Sequence, residues 1–578
     1  MNVLWLAVNA KYSHTSLAVR YLRECVPGSR ISELSINEPL LDMLGAIADE
    51  RPQVLGIACY IWNIEPIKQL LRLLAEAMPD LTIICGGPEV SYDTKEFMTA
   101  FPMVDFVVRG EGEEVCRELA KRDFCVDEDI PGLAWRGADG TIHVSRDVTV
   151  ADLTAIPFPY RDEEMDAIKE RILYYETTRG CPFSCAYCLS CATAGVRFLP
   201  LDRVFRELGF FERHDVRQVK FVDRTFNAKK SHFLPILKWL LALPDTCRTN
   251  FHFEVAIDYL DDDVLDVMSK LPPGRIQLEI GIQSTNEKTL AAVSRVNHWE
   301  EIQSHIRRIL SFHNMHLHVD LIAGLPGEGL SSFHQSFNDV YALQTDMLQL
   351  GFLKFLRGAT MMHLVRPYHY RYMPMAPYEV LASDALTYPE ILWLKRFEAV
   401  FEYYYNAGRC RKTASYLIAA HENGDAFAFW QHLTDWWIGK GYHRVGHATK
   451  NLYAYLMEYA RTAYGEDERL MDNLLRYDAL LADNGRIRPT FLAWNMETYQ
   501  YATAPFWRGE TVTDYLPGFV FKNWRDVRTH HHIEVFDVDV RRLIETGERL
   551  DRKTPLLFSF TPHGTTCQTI TLEGLGNA

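Results

Sequence analysis

At 578 residues the chain is too long for one ordinary core, so about two to four domains are expected, and 48% hydrophobic with 24% charged residues excludes a mainly disordered protein. A formal net charge of −15 argues against non-specific nucleic-acid binding, and neither a run of about eighteen apolar residues nor a basic leader segment marks a membrane span or an export signal. The twelve cysteines are scattered apart from one tight cluster, the usage of a reducing compartment, so the cytoplasm is the expected location.

Residues 1 to about 125 alternate short apolar runs with helical spacing. Val3–Val8, Val54–Tyr60, Leu81–Cys85 and Phe106–Val108 read as strands, and Ile67–Ala77 as a helix. This pattern predicts a doubly wound α/β domain, in which ligands sit beyond the carboxyl ends of the strands. The segments at those ends, 9–14 with Ser13, 61–63 with Trp62 and Asn63, 86–89 with Gly86, Gly87 and Glu89, and 110–113 with Gly110, Glu111 and Gly112, form a polar, glycine-rich rim. Glycine pairs there let backbone approach a ligand closely, or simply make turns.

A linker follows, with a small β-like piece at Gly132–Trp135 and Thr141–Ser145 and a proline-rich turn at 156–160. Next comes Thr177-Thr178-Arg179-Gly180-Cys181-Pro182-Phe183-Ser184-Cys185-Ala186-Tyr187-Cys188. Its C-x3-C-x2-C spacing supplies one thiolate too few for a four-iron cluster and leaves one iron open to a small molecule. Half of a structural zinc site would need a second knuckle, which the sequence does not supply, and bystander thiols fit poorly with the loop signal Gly180-Cys181-Pro182. Cys191 would extend the set and close the cluster, but a packed thiol is the simpler reading. The motif resembles the signature of the radical S-adenosylmethionine (SAM) family, in which SAM chelates the open iron and is cleaved reductively to a 5′-deoxyadenosyl radical. The resemblance implies that Cys181, Cys185 and Cys188 hold a 4Fe-4S cluster, that Tyr187 contacts SAM, and that a low-potential donor of the flavodoxin or ferredoxin type supplies the electron.

From Leu173 strand and helix patterns alternate, with strands expected at Val219–Val222, Phe251–Ala256, Ile276–Ile282, His316–Ile322 and Leu348–Phe355. Such a series predicts a partial (β/α) TIM-like barrel with function at the carboxyl ends of its strands. The strand ends at 220–227, 253–256, 278–284 and 320–328 each resemble the corresponding radical SAM motif, which implies SAM contacts at Asp223, Glu254, Glu279, Gln283, Asp320 and Gly324. Leu356 falls where the family lets strand backbone meet adenine. Carboxylates and Gln283 can hydrogen-bond ribose hydroxyls or the SAM ammonium group, although each residue alone is equally a buried structural polar group.

An α/β domain with Gly-Gly-Pro-Glu after one strand and Arg109-Gly110-Glu111-Gly112-Glu113 after another, set directly before this cluster motif, resembles the cobalamin-binding domain of the cobalamin-dependent radical SAM enzymes. The resemblance implies cobalamin contacts at Ser13, Tyr60, Trp62, Asn63, Gly86, Gly87, Glu89, Gly110, Glu111 and Gly112. The D-x-H-x-x-G motif that places a histidine on cobalt in other cobalamin enzymes is absent, so the subgroup without that histidine is the better match, and a cobalamin-free domain stays open.

Residues 376 to about 484 are aromatic with helical spacing, and 533–561 holds two strand-like pieces around a short helix. The aromatic stripe reads as core, and His530-His531-His532 as a solvated cluster, since adjacent side chains point apart and cannot all chelate one ion.

The expected architecture is therefore α/β: a Rossmann-like cobalamin-binding domain with linker (1–150), a radical SAM partial barrel (151–365) and a mostly helical accessory domain (366–578) that shapes the substrate pocket. The resemblance implies a cobalamin-dependent radical SAM enzyme methylating an unactivated carbon. Radical cyclisation or rearrangement is the alternative, as in the anaerobic Mg-protoporphyrin ester cyclase that the N-terminal architecture also resembles. A cobalamin-binding sensor with a vestigial cluster is a second alternative.

Overall fold

The computed structural model describes residues 1–578 except 127–128, 193–194, 562–563, 574 and 576–578, together with all but the side chains of Cys191, Ala192 and Asp483. The reading of Cys191 as a fourth ligand or a packed thiol therefore lies outside the described side chains. The chain forms two compact units, residues 1–333 with 350–391 and residues 334–349 with 392–578.

The first unit opens with β1 (Val3–Asn9), β2 (Arg30–Ser35), β3 (Val54–Ala58), β4 (Thr82–Gly86), β5 (Phe106–Val108), β6 (Leu133–Arg136) and β7 (Ile142–Val144), in the order β2-β1-β3-β4-β5-β6-β7. Pairing is parallel from β2 through β5 and antiparallel from β5 through β7. β1 shows why the sheet is covered on both faces: Leu4, Leu6 and Val8 enter one apolar cluster, and Val3, Trp5 and Ala7 enter the other. A strand with period two and apolar residues at every position needs helices on both sides. The β-like piece expected in the linker is β6 and β7, which extend this same sheet. The order reverses between β1 and β3, and such a switch point opens a crevice at the carboxyl ends of the strands.

The second sheet is built of β8 (Ile172–Tyr175), β11 (Gln218–Phe221), β12 (Asn250–Glu254), β13 (Ile276–Gln283), β14 (His316–Ala323) and β15 (Met347–Phe352), in the order β15-β14-β13-β12-β11-β8, and the pairs from β8 to β14 are parallel. A short antiparallel pair, β9 (Thr178–Arg179) and β10 (Arg197–Phe198), brackets the cysteine segment. Along β13 the even positions Ile276, Leu278, Ile280 and Ile282 are buried, and the odd positions Gln277, Glu279, Gly281 and Gln283 occupy the opposite face, where polar side chains of β11, β12 and β14 meet them. Past β15 the chain makes the small pair β16 (Arg371–Tyr372) and β17 (Val380–Ala382).

The second unit is helical, with helices at Arg411–His421, Ala426–Gly439, Thr449–Tyr464 and Glu468–Leu481, closed by the antiparallel sheet β18 (His531–Phe536), β19 (Thr554–Thr561) and β20 (Gly564–Thr569). Its aromatic stripe is core: Phe401 meets Trp430 edge to face at 5.2 Å, and Phe397 stacks on Phe427 at 4.9 Å. The histidine triplet is only partly solvated. His530 is exposed, the His531 ring lies 3.0 Å from Ser559 Oγ, and His532 is buried with Nε2 2.8 Å from Glu534 Oε2. The strand that starts at His531 turns His532 into the core, which corrects the reading of all three as surface residues.

Candidate functional site

The cysteine segment leaves β9 through Gly180, whose φ is 96° and where an added Cβ would lie 2.1 Å from the Gly195 carbonyl oxygen. Only glycine fits that corner. Cys185 is buried, Cys181 and Cys188 are half-buried, and no disulfide forms among the described cysteines. The loop is pinned by backbone: Cys188 N–H donates to the Cys185 carbonyl at 3.0 Å, Ala186 N–H to Val293 at 2.9 Å, and Met361 N–H to Ala186 at 2.8 Å. Thr225 Oγ1 lies 3.5 Å from Cys181 Sγ, and Arg295 Nη1 lies 3.7 Å from Cys185 Sγ. Three thiols on one loop with a half-buried guanidinium beside them suit an iron–sulfur cluster, whose thiolates need counter-charge in a desolvated setting.

The residues expected around SAM fall into distinct environments. Gln283 ends β13 with φ of 71°, beside a register shift between Gly281 and Gln283, and its buried Oε1 has no hydrogen-bond partner among the described residues. A strained backbone holding an orphaned buried acceptor at a strand end suits a ligand contact. Gly324 also has positive φ, 90°, and its carbonyl accepts from the Tyr370 hydroxyl at 2.8 Å. Tyr187 is held by Arg295, 3.4 Å from its hydroxyl, and burial pushes the phenol well up. Leu356 lies in a turn after β15, its carbonyl accepting from Ala359 N–H at 3.1 Å. Burial pushes the Glu254 carboxyl up to about 6 against the pull of Arg224.

Asp223 is fully buried, and its oxygens accept from Thr177 N–H at 2.7 Å, Thr178 N–H at 3.0 Å and Thr177 Oγ1 at 2.5 Å. The side chain braces the start of the cysteine segment against β11. Glu279 and Asp320 sit deeper, below Gln283 along the strands. Glu279 Oε2 is 2.9 Å from Lys220 Nζ and 3.1 Å from His252 Nε2. Burial alone would raise the Glu279 carboxyl, but His252, Lys220 and His318 reverse that and hold it well below the usual carboxylate range.

Beyond the carboxyl ends of β1, β3, β4 and β5 lies a cavity of about 760 Å³. Of the rim residues expected to contact cobalamin, Tyr60, Trp62, Gly86, Gly87, Gly110, Glu111 and Gly112 line it. Tyr60 and Trp62 stack at 4.4 Å with 7° between their planes. Gly87 has φ of 107°, and an added Cβ would lie 2.4 Å from the Cys59 carbonyl oxygen.

Ser13, Asn63 and Glu89 stand outside that lining. The Ser13 carbonyl accepts from Ile172 N–H at 2.8 Å, Asn63 Nδ2 donates to Val8 and Ala58 carbonyls, and Glu89 accepts from the Tyr378 hydroxyl at 2.6 Å. Asn63 ties its rim loop to β1 and β3, whereas Ser13 and Glu89 tie theirs to β8 and to the segment after β15.

The opposite wall is Tyr174, Glu176, Arg179, Lys220, Val222, Arg224 and Glu254 from the second sheet and the cysteine segment, with His14 at the junction, where its Nδ1 is 2.5 Å from the Tyr174 hydroxyl. The sequence reading included His14 and Lys220 only within the segments 9–14 and 220–227, without a role, and missed Tyr174, Arg295, His252 and His318. The last two lie two residues before Glu254 and Asp320 on the same faces, a spacing that strand periodicity makes visible.

Residues 4–120 match the family described as B12 binding domain, residues 175–340 the radical SAM superfamily, and residues 366–558 the DUF4080 family, described as a protein of unknown function. The chain is 27% identical over 327 residues to the cobalamin-dependent radical SAM methyltransferase TokK of Streptomyces tokunonensis, and 28% identical over 324 residues to a 2-(S-pantetheinyl)-carbapenam-3-carboxylate methyltransferase of Streptantibioticus cattleyicolor. Each match covers 52% of this chain and 46% of the relative, so the chain spans about half the length of these relatives. The fold is similar to that of the cobalamin-dependent SAM radical enzyme OxsB with aqua-cobalamin and SAM bound, at 12% identity and a TM-score of 0.57, over 91% of this chain and 82% of that one. By its domain matches the chain combines an N-terminal B12-binding domain, a central radical SAM domain and a C-terminal DUF4080 domain.

Proposed function

We propose that this protein transfers a methyl group to an unactivated carbon of its substrate. The observation that carries the reading is the shared cavity: the glycine-rich rim of the first sheet and the carboxyl-end residues Lys220, Val222, Arg224 and Glu254 of the second face one space, so a substrate there meets both cofactor sites. When bound, a 4Fe-4S cluster with SAM supplies a hydrogen-abstracting radical, and cobalamin supplies the methyl group. Cys181, Cys185 and Cys188 hold the cluster, Gln283, Glu254, Gly324, Tyr187 and the backbone at Leu356 frame SAM, and Tyr60, Trp62 and the rim glycines frame the corrin. The chain's own work is placement and exclusion of water, since Trp5, Val19 and Leu22 give the cavity an apolar floor. An electron donor of the flavodoxin or ferredoxin type in the cytoplasm completes the system.

The test is anaerobic reconstitution with iron, sulfide and hydroxocobalamin, then incubation of the desalted protein with methyl-deuterated SAM, reductant and a small-molecule extract. Bound iron and corrinoid, 5′-deoxyadenosine and a product gaining one labelled methyl group support methyl transfer. 5′-Deoxyadenosine with a product of unchanged or hydrogen-depleted mass replaces it with cyclisation or rearrangement, and absence of SAM cleavage favours a sensor.

A further inference from the structure

The polar face of the second sheet brings Glu279, His318 and Asp320 close together, with His252 beside Glu279. Register pairs Glu279 of β13 with His318 of β14 and Gly281 with Asp320, and places His252 of β12 beside Gln277. Parallel pairing keeps the side chains of one layer on the same face, so two imidazoles and two carboxylates converge. One donor atom from each of Glu279, His318 and Asp320 lies within 4.8 Å of the others. His252 Nε2 is 3.1 Å from Glu279 Oε2, and His318 Nε2 is 2.9 Å from Asp320 Oδ1.

A buried network of mutually satisfied ion pairs would explain such a cluster only if its hydrogen bonds were made. Lys220 makes one to Glu279, but the histidine Nε2 atoms make none among the described residues. His252 and His318 are 6% and 7% exposed, yet His252 Nε2, His318 Nε2 and Asp320 Oδ1 have no hydrogen-bond partner among the described residues, because the ring directions miss the neighbouring oxygens despite the short separations. Buried polar atoms left in this way pay for their desolvation with nothing in return. A cation held between them would satisfy these crowded atoms at once.

We propose that His252, Glu279, His318 and Asp320 form a binding site for a divalent first-row cation, separate from the cysteine loop. Two imidazoles with carboxylates select zinc, iron(II) or manganese(II) over magnesium and calcium, which take all-oxygen shells. Lys220, 2.9 Å from Glu279 Oε2, then orients a ligating carboxylate from outside the coordination sphere, and because Lys220 also lines the cavity, the ion lies one side chain away from it. This assigns Glu279 and Asp320 to a cation and removes them from the SAM contacts. The proposal stands whether or not the reaction is methyl transfer.

The probe is Zn²⁺, which a nitrogen–oxygen site holds more tightly than iron(II) or manganese(II). The full-length protein, reconstituted with its iron–sulfur cluster, is loaded with Zn²⁺, desalted and assayed for zinc and iron, with zinc X-ray absorption to identify ligands. About one zinc per chain is expected, with imidazole and oxygen scattering and no sulfur. His318→Gln and Glu279→Gln should each reduce retained zinc to below about one tenth of that with iron content unchanged, and His318→Gln should also leave SAM cleavage unchanged. If either variant lowers the unfolding midpoint, His252→Asn provides the same readout from the third strand. Zinc below about one tenth per chain in the wild type, sulfur ligation, or retention undiminished in the variants overturns the site.

Discussion

The Arg295 guanidinium lies 3.7 Å from the Cys185 sulfur while a second of its nitrogens donates to the Gly281 carbonyl, so one side chain links the cysteine loop to the end of β13. Its charge favours the more negative, reduced state of a cluster bound there. Arg295→Gln should lower the cluster's midpoint potential by on the order of 50 mV, about 1 kcal/mol for one electron, and Arg295→Lys should restore most of it. Potentiometric titration followed by EPR measures the shift, and an unchanged potential in the glutamine variant removes Arg295 from this role.

Cys185→Ala should abolish the cluster's absorbance and SAM cleavage together while leaving corrinoid binding intact, because the cavity is lined by other residues. Cys191→Ala should retain both cluster and cleavage. Cleavage that survives loss of Cys185 would defeat the ligand assignment.

Trp62 is 44% exposed and stacks on Tyr60 at the cavity wall. Removing an aromatic wall of this kind costs about 1.4 kcal/mol, about tenfold in affinity. Trp62→Ala should therefore weaken hydroxocobalamin binding by about that factor, measured by equilibrium dialysis, with iron content unchanged. Equal affinity would show that the pair stands apart from the corrin.

Burial raises the Asp223 carboxyl to about 7 in spite of three donors from Thr177 and Thr178. A carboxyl raised on folding binds its proton more tightly in the native state, so its contribution to stability is full below about pH 4 and is lost as pH rises to 7, at up to about 1.4 kcal/mol per unit. Asn accepts the same two backbone N–H groups without ionising. The wild-type unfolding midpoint should fall relative to that of Asp223→Asn between pH 5 and pH 7, and parallel curves would show that Asp223 does not titrate there.

Arg476 and Glu534 pair at 2.5 Å in the second unit with side chains 1% and 0% exposed. Breaking such a pair by removing one partner strands a buried charge. Arg476→Met should cost about 3–5 kcal/mol in urea unfolding, and a loss below about 1 kcal/mol would mean that water reaches the pair.

Strands buried on both faces were legible as continuous apolar runs: β1, β3 and β5 fall within a residue or two of their expected positions. β2, Arg-Ile-Ser-Glu-Leu-Ser, was not expected, because as an edge strand it carries only two apolar side chains. β20, Gly-Thr-Thr-Cys-Gln-Thr, was missed for a similar reason, its place being set by pairing with β19 and not by its own pattern. The cysteine loop and the glycine rim were visible because local backbone and spacing impose them. The convergence of His252, Glu279, His318 and Asp320 was not, because three strands contribute and only their register brings the side chains into one layer.

Glu111 accepts from Arg197 at 2.6 Å and from Val150 N–H at 2.6 Å, and lies 3.6 Å from Arg179, which precedes the cysteines. One carboxylate on the rim of the first sheet is thus clasped by both strands that bracket the cysteine loop. A short ionic clamp therefore helps to fix the span between the glycine-rich rim and the cysteine loop, independently of the length of the intervening chain. Insertions into residues 137–141 would leave that span unchanged, whereas neutralising Glu111 would loosen both sites at once.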